Sequence, residues 1–207
     1  MSNRIDIANL ALTWMGANQI TSLEDEAPEA QILKVNYDLA RDATLEAHEW
    51  SFAIERWIPA KDPEGPVWGA GFRFKIPNDI IRVLRVENTF TGPLPSGTVG
   101  NVNQQRQIGR RMEADWKLES GYIITDESAI LCKGIRRIED EGIFSNLFVH
   151  AFAAKLAMLT AYSITESDGK FNAMSALYAL HIQEAKTRDG LQGSPSRLRN
   201  RSLQNAR

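Results

Sequence analysis

The chain of 207 residues has a single cysteine, Cys132, and only three histidines. One cysteine excludes an internal disulfide framework and a cysteine-rich zinc site. Cys132 follows a leucine in a predicted strand, without a paired histidine, so a structural thiol is expected. His48, His150 and His181 share no ligand spacing, and each falls beside apolar residues on a predicted helix. Satisfied buried imidazoles are therefore favoured over metal ligands, and no metal or cofactor is expected.

The sequence also lacks the short motifs of nucleotide-binding loops, dinucleotide folds, zinc proteases and serine-hydrolase elbows. Acidic residues are plentiful, but their clusters at 24–29 and 139–141 are typical of helix starts and solvated faces. His48 and Glu49 are the only adjacent acid–base pair of interest. On a helix, neighbouring side chains point about 100° apart and would not converge on one substrate. The sequence therefore predicts no enzyme.

An excess of positive charge is missing as well, because 24 basic residues face 26 acidic ones. This balance argues against a protein that coats nucleic acid through a net positive surface. The N-terminal residues show no signal-peptide pattern. Residues 143–164 are apolar enough to span a bilayer, but Lys155 near their centre would cost about 3 kcal/mol on insertion. A buried helix in a soluble protein, without a membrane partner, is the prediction.

Helical and strand-like patterns alternate along the chain in a simple order. The spacing of apolar residues predicts helices over 3–15, 25–49, 144–164 and 167–188, while residues between them form short β-like runs. The predicted fold class is α+β. A helical bundle is built from N-terminal and C-terminal helix pairs and is followed by an extended C-terminal tail; an antiparallel β insertion separates the pairs. The boundaries are 1–50 and 143–189 for the bundle, 51–142 for the insertion with an exposed loop near 88–104, and 190–207 for the basic tail.

Two features of the β region allow finer predictions. Along residues 79–88, alternation places Ile81, Val83 and Val86 inward and the intervening arginines outward, with a slip of register near Leu84. Farther on, the turn-like residues 125–128 separate two apolar runs, which predicts a hairpin between 122–125 and 129–133.

The helix at 144–164 is apolar nearly all round, and four helices offer little to cover it. A second subunit would cover it, and so would the β insertion. For the first alternative, the candidate subunit-interface residues are Phe144, Phe148, Phe152 and Leu159.

The tail from residue 190 holds four arginines and no acidic residue. Such a segment is commonly a solvated terminus, yet its leucines interleave with its arginines, a mixture suited to ordering on an acidic partner surface. The candidate partner-binding residues are Arg197, Leu198, Arg199, Arg201 and Leu203.

The order of these segments resembles the tail tubular protein A family, the head-to-tail adaptors of short-tailed bacteriophages. The resemblance begins with the pattern ALTWMGANQITSLEDEAPEAQILKVNYDLARDATLEAHEWSFA, which ends with Trp50, Ser51, Phe52 and Ala53. It continues through FRFKIPNDIIRVLRV and through GYIITDESAILCKGIRRIEDEGIFSNLFVHAFAAKLAMLTAYSIT. The likeness covers roughly residues 5–185 in order. The loop at 88–104 and the tail depart from the family's pattern.

The resemblance implies a structural virion protein at the head–tail interface, assembled in the host cytoplasm. About twelve copies would form a ring that joins the portal protein to the tail nozzle. Viral DNA would pass through the channel during ejection without specific binding. The arginine-bearing tail would order on the portal.

Two other functions stay open from the sequence. A tail-associated polysaccharide or peptidoglycan hydrolase would need two carboxylates converging at about 5–10 Å in a cleft, and no spacing predicts such a pair. A DNA-binding packaging factor would retain DNA in a salt-sensitive manner.

Overall fold

The structure is a computed structural model that describes residues 3–89 and 111–192. These residues form four α-helices and seven strands. In chain order the elements are α1 (Arg4–Met15), α2 (Pro28–Glu46), β1 (Ile54–Trp57), β2 (Phe72–Lys75), β3 (Ile80–Thr89), β4 (Arg111–Glu113), β5 (Trp116–Glu119), β6 (Tyr122–Thr125), β7 (Ile130–Arg136), α3 (Asn146–Thr165) and α4 (Asp168–Gly190).

The helix boundaries follow from local capping signals. Gly16 takes a positive φ of 74° directly after α1, where a left-handed residue ends a helix with little strain. Pro28 occupies the first position of α2, where a missing N–H costs nothing. The hydroxyls of Ser145 and Ser167 accept backbone N–H groups in the first turns of α3 and α4. All four predicted helices are therefore confirmed, with bounds shifted by a few residues.

The described residues divide into two compact units. The helical unit comprises the described residues 4–36 and 145–192, and within it α3 packs against both α1 and α4. The sheet unit comprises the described residues 3, 37–89 and 111–144 and contains all seven strands. Residue 36 lies inside α2, so this helix starts in one unit and ends in the other.

The sheet unit consists of two antiparallel sheets. One sheet has the strand order β1-β7-β3-β4, and the other has the order β2-β6-β5. Buried side chains from both sheets form one apolar core, which includes Phe74, Val83, Val86, Ile123 and Ile130. The core residues alternate with outward-facing residues, as expected for sheets with one buried face.

The predicted helical bundle with a single β insertion is wrong. The β region is two sheets rather than one insertion, and the second half of α2 belongs to the sheet unit. Hydrogen bonds hold it there: Trp50 Nε1 donates to the carbonyl oxygen of Thr44 at 2.9 Å, and Arg137 Nε donates to Asp42 at 2.8 Å. The observed unit boundaries are 36/37 and 144/145, whereas the boundaries predicted from the sequence are 50/51 and 142/143.

The predicted hairpin between 122–125 and 129–133 is also wrong. Strand β6 pairs with β2 and β5, while β7 pairs with β1 and β3 in the other sheet. The residues between them therefore carry the chain from one sheet to the other. In contrast, the slip near Leu84 is confirmed, since the β3–β7 register shifts between Val83 and Arg85.

Helix α3 is the single described helix that is long and apolar enough to cross a membrane. This is a weak membrane signal, because a buried core helix has the same length and composition. More than half of its most apolar window is buried inside the protein. Lys155 lies on this helix with its Nζ over the ring of Tyr178, 5.0 Å from the centroid.

Candidate functional site

The residues predicted to meet a neighbouring subunit lie mostly inside the chain. Phe148 and Phe152 are fully buried and Phe144 is buried to 7 % exposure. The rings of Phe148 and Phe152 are 6.2 Å apart in the helical unit, whereas the ring of Phe144 lies 5.8 Å from that of Phe52 in the sheet unit. Three of the four predicted interface side chains therefore present no surface to another copy. The cover that α3 requires comes from its own chain.

Some apolar side chains on α3 do remain at the surface. Leu159 is 38 % exposed and Tyr162 is 58 % exposed. They are three positions apart on the helix and so lie on one face. We call this pair the helix patch. Of the four predicted interface residues, Leu159 alone belongs to the helix patch.

A second apolar patch lies in the sheet unit, and the sequence pattern does not predict it. Val67 is 98 % exposed and Trp68 is 86 % exposed, in the segment between β1 and β2. Gly69 follows with a φ of 92°. We call Val67 and Trp68 the loop patch. It borders a groove of about 570 Å³ whose other lining residues include Arg73, Trp116 and Tyr122. A tryptophan as exposed as Trp68 is a signal that only the structure provides, because an aromatic residue in a sequence is usually buried.

Two of the three histidines come together in the helical unit, which the sequence spacing did not predict. The ring of His181 stacks on Trp14 at 5.4 Å and meets His150 edge-on at 5.5 Å. Burial is the main cause that lowers the pKa of His181, and the charge of His150 lowers it further, while Glu184 opposes the shift. Within the described residues, no three histidine, cysteine or acidic side chains form a group that could hold a metal ion.

The lowered pKa of His181 predicts a loss of stability in mild acid. The folded chain binds this proton less tightly than the unfolded chain does, whose histidines titrate near 6.5. The contribution of neutral His181 to the free energy of unfolding is therefore complete above pH 6.5. It declines as the pH falls towards the pKa that His181 has in the folded chain. We expect urea unfolding at pH 5.5 to show a lower free energy than at pH 7.5, with a smaller difference in His181→Asn. An equal difference in both proteins would contradict this.

Other candidate groups have structural roles. Cys132 is a buried free thiol whose pKa burial raises to about 12, so it stays protonated and unreactive at neutral pH. His48 lies after the end of α2, with its ring edge-on to Trp50 at 4.9 Å. The prediction that His48 lies on a helix is therefore wrong.

The acidic clusters also serve the fold. Asp25 accepts the backbone N–H of Ser22 and both the hydroxyl and the backbone N–H of Thr21, and these hydrogen bonds lower its pKa. In the second cluster, Asp140 accepts the N–H of Gly142 and Glu141 accepts the hydroxyl of Tyr37. These contacts hold turns and helix starts in place.

The predicted partner-binding residues of the tail, Arg197, Leu198, Arg199, Arg201 and Leu203, lie outside the described residues, and so does the predicted loop from residue 90. Comparison with known proteins adds no assignment. No protein-family model matches the chain, and no curated protein matches it in sequence.

Proposed function

We propose that the chain is a non-enzymatic structural protein of a bacteriophage virion, a head-to-tail adaptor that assembles into a ring. The ring, of about twelve copies, joins the portal to the tail nozzle and surrounds the channel through which DNA passes. The proposal rests on the resemblance in segment order to the tail tubular protein A family and on the distribution of exposed apolar side chains.

The observation that carries the proposal is the presence of two different apolar patches on two different units. The loop patch is Val67 and Trp68 in the sheet unit, and the helix patch is Leu159 and Tyr162 in the helical unit. A ring requires a head-to-tail contact, in which one surface of a copy meets a different surface of the next. Exposed aromatic and aliphatic side chains are typical of such contacts. In this proposal the loop patch of one copy packs on the helix patch of its neighbour.

The overall charge suits a conduit for DNA. A net charge of −2 gives little long-range attraction for a polyanion, so DNA can pass without being retained. The tail is the exception, with four arginines and no acid in residues 190–207. In the proposal it orders on acidic surface of the portal through Arg197, Arg199 and Arg201.

Light scattering of the chain with and without a portal ring tests the proposal. We expect a large, stoichiometric complex when portal is present, and a deletion of residues 190–207 that keeps the fold but loses the complex. Portal added to wild-type chain without any gain in molar mass would contradict the adaptor function. Normal complex formation by the deletion variant would contradict the role of the tail alone.

A further inference from the structure

Three basic residues lie side by side across the four-stranded sheet. The register places Arg56 of β1 opposite Lys133 of β7, and Lys133 opposite Arg85 of β3. Directly opposed residues in an antiparallel pair have their side chains on the same face of the sheet. The three cations therefore form one line across three adjacent strands, which we call the cation row.

The cation row is unfavourable for the isolated protein. Like charges directly opposite each other destabilise a sheet. Nearby carboxylates relieve this in part: Glu49 lies 3.0 Å from Lys133 Nζ, and Glu87 lies 3.4 Å from Arg85. Among the described residues, no carboxylate lies within salt-bridge distance of Arg56. Two carboxylates for three cations leave positive charge uncompensated, and exposed ion pairs compensate weakly in any case.

The surroundings of the cation row are open and suited to an extended ligand. Arg56 and Arg85 are exposed, and the row borders a shallow hollow of about 400 Å³ beside Ile58. Adjacent strands are about 4.8 Å apart, so the three positive charges span about 10 Å. A single free phosphate binds best where donors converge on it. A line of separated cations instead matches a ligand whose negative charges repeat, and each strand of duplex DNA carries one phosphate per about 3.4 Å of helix axis.

We infer that the cation row is a contact surface for the phosphate backbone of duplex DNA. This inference deepens the proposed function, because it names the part of the chain that meets the DNA in the channel. Contact is brief and independent of base sequence, since phosphates carry no sequence information. The few contacts and the net charge of −2 keep the affinity low at physiological salt.

The experiment measures the binding of the full chain to a fluorescein-labelled duplex by anisotropy, between about 20 and 150 mM salt. The test protein is Arg56→Gln/Arg85→Gln. The matched control is Lys75→Gln/Lys117→Gln, which removes the same charge from exposed positions on the two outer strands of the other sheet. Those lysines are separated by β6 and have no opposed cation.

We expect wild-type protein to bind the duplex at the lowest salt and to lose binding at the highest. Each phosphate contact contributes about 0.9 to the slope of log affinity against log salt, so the test variant should lose about 2 from that slope. The control should keep the wild-type slope. The test variant should also melt at a higher temperature than wild-type protein when no DNA is present, because the opposed charges are gone.

Several results would overturn the inference. These are equal slopes in test and control variants, no binding of wild-type protein at about 20 mM salt, or binding to poly-glutamate but not to DNA, which would indicate an acidic protein partner. The measurement does not require a ring. Binding that depends on the row without any assembly would contradict only the proposed function, and assembly without such binding would contradict only this inference.

Discussion

The substitution Phe152→Ala is expected to lower the free energy of unfolding by about 4 kcal/mol. Phe152 is fully buried on α3, where its ring packs near that of Phe148. Removing the ring leaves a cavity among helices that cannot close over it completely. Urea unfolding of the monomeric chain measures the loss directly.

The matched control is Leu159→Ala on the same helix. Leu159 is 38 % exposed, so its truncation removes less buried surface and should cost about 1 kcal/mol or less. In the proposed ring, the same control should weaken assembly. A similar loss of stability in both variants would contradict the division of α3 into a core face and a surface patch.

The second large effect is expected from Gly134→Ala in the middle of β7. A Cβ atom at this position would lie 2.6 Å from the carbonyl oxygen of Arg82 and 2.9 Å from the ring of Trp57. The first contact is with backbone of the neighbouring strand, which cannot move without breaking the ladder. We expect a loss of about 3 kcal/mol in the free energy of unfolding, measured by thermal or urea denaturation.

Gly71→Ala is the control for this substitution. Its Cβ would lie 3.6 Å from a side-chain oxygen of Asp126, an ordinary contact distance, and Gly71 does not have a positive φ. Its stability should change by less than about 1 kcal/mol. If Gly134→Ala were as well tolerated as Gly71→Ala, the close approach of Trp57 and β3 to this glycine would be refuted.

The parts of the fold that the sequence predicts well depend on neighbouring residues. The helix starts at Ser145 and Ser167 and the helix end at Gly16 follow from capping chemistry within a few positions. The register slip at Leu84 likewise follows from a local break in alternation. Such features need no knowledge of distant contacts.

The parts that the sequence predicts poorly depend on partners far along the chain. The turn after β6 looks like a hairpin turn, but the best-matched surface for β7 is formed by β1 and β3. The apolar character of α3 predicts that other residues must cover this helix. It does not predict that α1 and α4 are the elements that cover it. The cation row cannot be predicted from the sequence for the same reason, since only the strand register brings Arg56, Lys133 and Arg85 into one line.

Native mass spectrometry of mixed variants tests the head-to-tail contact most directly. Trp68→Ala truncates the larger side chain of the loop patch and Tyr162→Ala truncates the larger side chain of the helix patch, and both side chains are exposed enough to change without unfolding the chain. Under conditions in which wild-type protein assembles, each variant alone should stay monomeric. An equal mixture should form pairs with one copy of each variant, because one intact contact remains. Assembly of either variant alone into wild-type oligomers, or a mixture that contains only monomers, would contradict the account.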